Sequence, residues 1–252
     1  MMRIDLNSDL GEGFGPWRMG DDAAMLDIVT SANVAAGGHA SDPETMFATL
    51  QTAASRGVVV GAHPGYADRE GFGRRVIPMS PAEIGRMVVA QTGALATLAQ
   101  LAGTEVRYVK PHGALGNLAA ADAQVADAIA AAVGALSPRL AILAISGTAL
   151  EQAARGRGIA VFSEIFADRA YLPNGQLVPR SREGAVLHDP ATIADRLLAF
   201  LDSGLMPVID GAPVRLAAQS ICVHSDTPGA VAIARDLRER LTAAGVHIAP
   251  FL

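Results

Sequence analysis

Polar and titratable residues recur along this chain in small groups, each following a short apolar run. Asn7, Asp9 and Glu12 come first, then His39 with Asp42, then His63 in His63-Pro64-Gly65. Lys110, His112 and Asn117 follow, then Glu164 with Asp168-Arg169, and last His224 with Asp226. A lone histidine in such a place is most often a hydrogen-bonded structural residue. Four of the six histidines placed this way, beside carboxylates, are hard to explain as packing. Converging titratable groups are what hydrolytic and proton-transfer sites use.

Three readings fit the set. Histidines and carboxylates could hold a divalent metal that generates hydroxide. Without a metal, His and Asp exchange protons on an amide while Lys110 holds an anion. The groups could also bind a small molecule without reacting. The chain has no HExxH or CxxC metal signature, no GxxxxGKS/T phosphate loop and no GxSxG nucleophile elbow. Gly11-Glu12-Gly13-Phe14-Gly15 falls short of GxGxxG because Pro16 follows, and reads as a flexible loop. Cys222, between Ile221 and Val223, reads as a buried core residue, since a reactive thiol needs an accessible, electropositive setting. Arg74 and Arg75 either form a solvated turn or hold a carboxylate or phosphoryl group, and Arg180 and Arg182 pose the same choice.

Lys110 is the only lysine among 20 basic residues; either a coding bias toward arginine accounts for this, or this position needs a compact, titratable ammonium where the rest of the chain uses arginine. The net charge of −5 argues against nucleic acid or an anionic membrane as partner. With a single cysteine no internal disulfide forms, and nothing demands an oxidising compartment. The first residues do not read as a signal peptide, and the apolar run Leu140 to Ile145 is too short to span a bilayer. A cytoplasmic, soluble protein is the expectation.

The elements that position these residues read as an alternation of strands and helices. Candidate strands are Arg3–Asn7, Ser31–Ala36, Val58–Ala62, Val106–Val109, Leu140–Ile145, Ala160–Glu164 and Ile221–Val223. Several are nearly continuous apolar runs, as in parallel strands buried on both faces. Asp42-Pro43, Ser80-Pro81, Asp189-Pro190 and Thr227-Pro228 each put a capping side chain before a proline, predicting helix starts. Gly57, Gly103, Gly204 and Gly245 predict the ends. Residues 1–252 read as one domain of repeated strand–helix units, a barrel or a doubly wound sheet; about seven parallel strands without a dinucleotide fingerprint favour barrel-like closure, which would bring the polar groups to its carboxyl end. The stretch Pro173 to Asp189 is a long loop of the kind that is often functional.

At these residues the chain resembles the LamB/YcsF family. The matching segments are DLNSDLGEGFG from Asp5, NVAAGGHASDP from Asn33, GAHPGYADREGFGRR from Gly61, VKPHGAL from Val109, EIFADRAYLPNGQLVPRSREGA from Glu164 and ICVHSD from Ile221. The resemblance implies an irregular (β/α) barrel akin to glycoside hydrolase and polysaccharide deacetylase barrels. It also implies cleavage of 5-oxo-L-proline to L-glutamate coupled to hydrolysis of ATP with Mg²⁺, in a complex with separate B and C subunits of a 5-oxoprolinase. Three segments depart from the family pattern: Ala36-Gly37-Gly38-His39-Ala40-Ser41-Asp42 where it has CGFHAGD, so that Ala36 stands for Cys, Gly38 for Phe and Ser41 for Gly; Gly116 where it has Tyr; and Ser225 where it has Gly.

The expected catalytic set is Asp9, His39, His63, Lys110, His112 and His224. Asn7, Glu12, Arg74, Arg75, Glu164 and Arg180 are expected to bind substrate. By analogy with deacetylase barrels, any metal would fall to Asp9, His39, His63 and His112. Two other functions remain: a metal-dependent amide or N-acetyl hydrolase working without ATP, and a non-catalytic metabolite-binding scaffold.

Overall fold

The computed structural model describes residues 2–225 and 229–252. The expected helix start at Thr227-Pro228 and the strand-end Asp226 lie outside the described residues. The strands are β1 (Arg3–Leu10), β2 (Ser31–Ala35), β3 (Val59–His63), β4 (Val106–Val109), β5 (Ala141–Ile145), β6 (Val161–Phe166), β7 (Leu205–Met206), β8 (Val214–Arg215), β9 (Ser220–Cys222) and β10 (His247–Ile248). The helices are α1 (Asp22–Leu26), α2 (Pro43–Ser55), α3 (Pro81–Leu101), α4 (Gly113–Ala121), α5 (Ala123–Leu136), α6 (Ala149–Gly156), α7 (Pro190–Ser203) and α8 (Ala230–Ala243).

Strands β1 to β6 pair in order, and β9 pairs with both β6 and β1, so seven parallel strands close a barrel. All seven are those the sequence predicts. β10 adds to the amino-terminal end of β1, and β7 with β8 forms a short antiparallel ribbon outside the barrel. Closure leaves the barrel no free edge.

The period-2 geometry of β1 explains its sequence. Ile4, Leu6 and Leu10 join the apolar layer shared with the α2, α7 and α8 helices. Asp5, Asn7 and Asp9 point to the other face, into the barrel. There Asp5 accepts hydrogen bonds from Thr30, Ser31 and Ser220. Tyr108 donates to Asn33 Oδ1 at 2.6 Å. Below this polar layer, Phe251 closes the barrel floor against Tyr108 and Phe162. Gly61 must be glycine, because a Cβ there would lie 2.2 Å from the Tyr108 ring.

The prolines mark helix starts as expected: Asp42, Ser80 and Asp189 cap α2, α3 and α7, and Ser80 with Glu83 forms a full capping box. Helices α4, α5 and α6 have no proline start. Alanine-rich α5 is capped instead by Asp122, which accepts from the Gln124 and Val125 N–H groups. The stretch after β6 is no loose loop. Arg169 bridges Val186, and Tyr171 bridges Leu177 and Val208, folding the segment over the barrel's carboxyl end. Among the described residues no single helix is long and apolar enough to cross a membrane.

Candidate active site

A cavity of about 560 Å³ opens at the carboxyl end of the barrel. Asp9, Glu12, His63, Lys110, His112, Glu164 and His224 line it, with Arg74, Arg180 and Ser225 at its walls. The strand ends therefore do bring these groups together, as parallel barrels do. Two expected residues lie just behind the wall. Asn7 is fully buried, donating to Ser220 Oγ at 2.6 Å and accepting from Asn33. His39 is buried beneath His112, their rings stacked with centroids 3.5 Å apart. Arg75 is not brought to the cavity: its guanidinium turns outward onto Asp68. Arg182 likewise pairs with Asp210 on the surface.

Lys110 forms the centre of the cavity floor. Its Nζ lies 3.1 Å from Asp9 Oδ1, 3.0 Å from Glu164 Oε2, 3.3 Å from Asn7 Oδ1 and 3.2 Å from Cys222 Sγ. Burial alone would push its ammonium down, but the Asp9 carboxylate beside it holds it well above its ordinary value. Burial also raises Asp9, yet His63 and Lys110 outweigh it and hold that carboxyl well below the usual range. At Glu164 burial prevails and raises the carboxyl despite Lys110. An ammonium has three N–H donors, and these neighbours engage them all. Lys110 thus binds two carboxylates together instead of reaching freely for a ligand. Cys222 is buried as expected, with its thiol pushed well up by burial; nothing in the sequence signals its contact with Lys110.

The histidines form two distinct groups. In the first, His63 Nδ1 faces the Lys110 carbonyl at 2.7 Å, and His112 Nε2 faces the Phe72 carbonyl at 2.8 Å. Carbonyls only accept, so both outer nitrogens carry the proton. The inner nitrogens, His63 Nε2 and His112 Nδ1, are 3.0 Å apart. His39 Nε2 lies 3.0 Å from Glu12 Oε1. Burial holds His39 well below its ordinary value and brings His112 to about 3. Phe72 and Gly73 both adopt left-handed backbone, and a Cβ on Gly73 would meet His39 Cβ at 2.6 Å. Only glycine lets this turn press against the stacked pair.

The second group crosses the cavity. His224 Nδ1 donates to Asp168, 2.7 Å from Oδ1, which leaves Nε2 as acceptor. Arg180 donates to that Nε2 at 2.8 Å. Burial raises Asp168, but His224 and its hydrogen bond outweigh this and hold the carboxyl below its ordinary value. A carboxylate fixing a histidine whose far nitrogen faces a cavity is the geometry of an oriented general base. In the sequence Asp168 is only one more strand-end carboxylate; nothing there pairs it with His224, 56 residues away.

The departures at Gly38, Gly116 and Ser225 have local explanations. A Cβ at Gly38 would meet Gln91 Nε2 at 2.6 Å, because Gln91 reaches in to bond both backbone groups of Gly65. At Gly116 it would meet the Pro111 carbonyl at 2.7 Å. Ser225 Oγ donates to the Asp9 carbonyl at 2.6 Å and ties β1 to the segment after β9.

A closed parallel barrel with a titratable cavity at its carboxyl end defines the structural class. A profile of the LamB/YcsF family matches residues 4–252, and the chain belongs to that family. It is similar to a Pseudomonas syringae pv. tomato protein named as a 5-oxoprolinase A-subunit, 53% identical over 251 residues that cover 100% of this chain and 98% of that one. Its structure resembles the lactam utilization protein of Thermus thermophilus, with TM-score 0.92, 41% identity and 98% and 99% of the two chains covered. A T48 deacetylase shares the fold at TM-score 0.51 and 13% identity, over 98% of this chain and 87% of that one.

Proposed function

We propose that this chain is a hydrolytic subunit that opens the ring amide of 5-oxoproline to give glutamate, coupled to ATP hydrolysis in a complex with separate B and C subunits. The names of its relatives support the substrate, and the word subunit in them supports the assembly. The observation that carries the chemistry is the Asp168–His224–Arg180 chain facing the cavity. The substrate's carboxylate draws Arg180 away from His224 into a charge-assisted contact. Release of Arg180 frees His224 Nε2 to take a proton from water. Asp168 holds the imidazole in that tautomer and stabilises its cation.

Lys110 keeps Asp9 and Glu164 in fixed positions on the floor. The net reaction adds one water across the ring amide, with the ring nitrogen leaving as the amine. A second water crosses the terminal anhydride of ATP, supplied with Mg²⁺. A five-membered lactam is a stable amide, which gives coupling to ATP its purpose. The test is glutamate release from 5-oxoproline, ATP and Mg²⁺ by the chain with and without its B and C partners. Glutamate only from the full assembly supports the proposal. Glutamate from the chain alone without ATP would replace it with an independent amide hydrolase.

A further inference from the structure

The tautomers of His63 and His112 pose a problem that a proposed base at His224 does not answer. Each donates its outer N–H to a backbone carbonyl, so in the neutral rings both inner nitrogens carry lone pairs. Those lone pairs face each other at 3.0 Å inside a buried wall. Two acceptors at that distance repel unless something positive lies between or beside them. Glu12 Oε1 lies 3.6 Å from His112 Nδ1, and Asp9 Oδ2 lies 3.4 Å from His63 Nε2, so the surroundings are anionic.

We infer that His63 Nε2, His112 Nδ1 and Glu12 Oε1 form a binding site for a divalent transition-metal ion of the zinc class. The separations fit: donors at about 2.0–2.1 Å from one tetrahedral ion stand about 3.4 Å apart, and the two observed separations are 3.0 and 3.6 Å. The outer contacts fit as well, since ligating histidines regularly donate their other N–H to a carbonyl. Imidazole donors select zinc-class ions over magnesium.

His39 stands within the same cluster but is assigned a different part. An ion lies in the plane of the imidazole that binds it. The His39 and His112 rings are parallel within 4° and stacked, so they share no in-plane point. The His63 and His112 planes cross at 86° and do share one. His39 Nε2 instead donates to Glu12 Oε1 and orients the carboxylate, while its Nδ1 has no partner. This revises the ligand set expected from the sequence: Glu12 replaces His39, and Asp9 stands at the edge with its Oδ1 committed to Lys110.

The test is binding, so it is independent of whether the lactam is opened. The full chain, stripped with a chelator and desalted, is titrated with Zn²⁺ by calorimetry and with Co²⁺ by visible absorption. One equivalent should bind, with a Co²⁺ ligand-field band and no competition from equimolar Mg²⁺. His112→Gln and Glu12→Gln should each lose at least about 100-fold in affinity, whereas His39→Gln should lose about tenfold, as for an outer-contact residue. No heat and no band at millimolar metal would overturn the inference and leave a shared proton between the rings. Equal losses for His39→Gln and His112→Gln would overturn the ligand assignment. Should a variant fail to fold, X-ray absorption of the Co²⁺-loaded wild type decides: two imidazoles in the first coordination sphere support the site, and none or three contradict it.

Discussion

Removing the Lys110 ammonium tests how the cavity floor is held. Lys110→Met keeps the side chain's length and leaves Asp9 and Glu164 buried without their common cation. Deleting one partner of a buried ion pair costs about 3–5 kcal/mol. For a chain of this size each kcal/mol moves the melting temperature by roughly 2–4 °C, so Tm should fall by roughly 6–20 °C. The pH dependence gives a second handle. In the wild type the folded Asp9 carboxyl lies below its unfolded value. Its contribution is present above that unfolded value and lost as pH falls through the folded one. In Lys110→Met, Glu164 loses the charge that opposes burial, and its already raised folded value climbs further. Such a group destabilises the fold while ionised and is relieved as pH falls. The stability gap between the two proteins should therefore narrow from pH of about 7 to about 5. Calorimetric scans across that window are the assay. A neutral-pH Tm within experimental scatter of wild type, or a gap that does not change with pH, would refute the reasoning.

Other outcomes follow from the same geometry. Asp168→Asn should retain the fold while lowering turnover by about 10²–10⁴-fold, the range for a mispositioned proton acceptor, measured as glutamate release by the assembled complex. Gly61→Ala drives a methyl into the Tyr108 ring and should cost about 1–3 kcal/mol by urea unfolding; a neutral effect would show the barrel interior to be looser than described. Ser225→Gly removes the hydroxyl from the Asp9 carbonyl and should cost about 1 kcal/mol by the same unfolding assay. Arg157→Ala, at an exposed pair with Asp127, should leave Tm unchanged at moderate salt.

The strands are legible in the sequence because their runs of apolar residues are short and bounded, and the prolines after Asp42, Ser80 and Asp189 announce three helices. Alanine-rich α4 and α5 carry no such punctuation, and the sequence leaves them unmarked. The site is legible as a set of residue types, since Asp9, His63, Lys110, His112 and His224 all end at one cavity. Their division of labour is not. Which nitrogen of His63 carries a proton depends on the Lys110 carbonyl, 47 residues away, a contact made only by strand pairing. Arg75 shows the opposite failure: adjacent to Arg74 in sequence, it faces away because Asp68 lies within the same turn.

The most direct measurement of the central claim is single-turnover glutamate formation from 5-oxoproline and ATP by the assembled complex, comparing wild type with His224→Asn. Stoichiometric glutamate is expected from the wild type, with a rate at least about 100-fold lower from the variant. Undiminished glutamate formation by His224→Asn would contradict it.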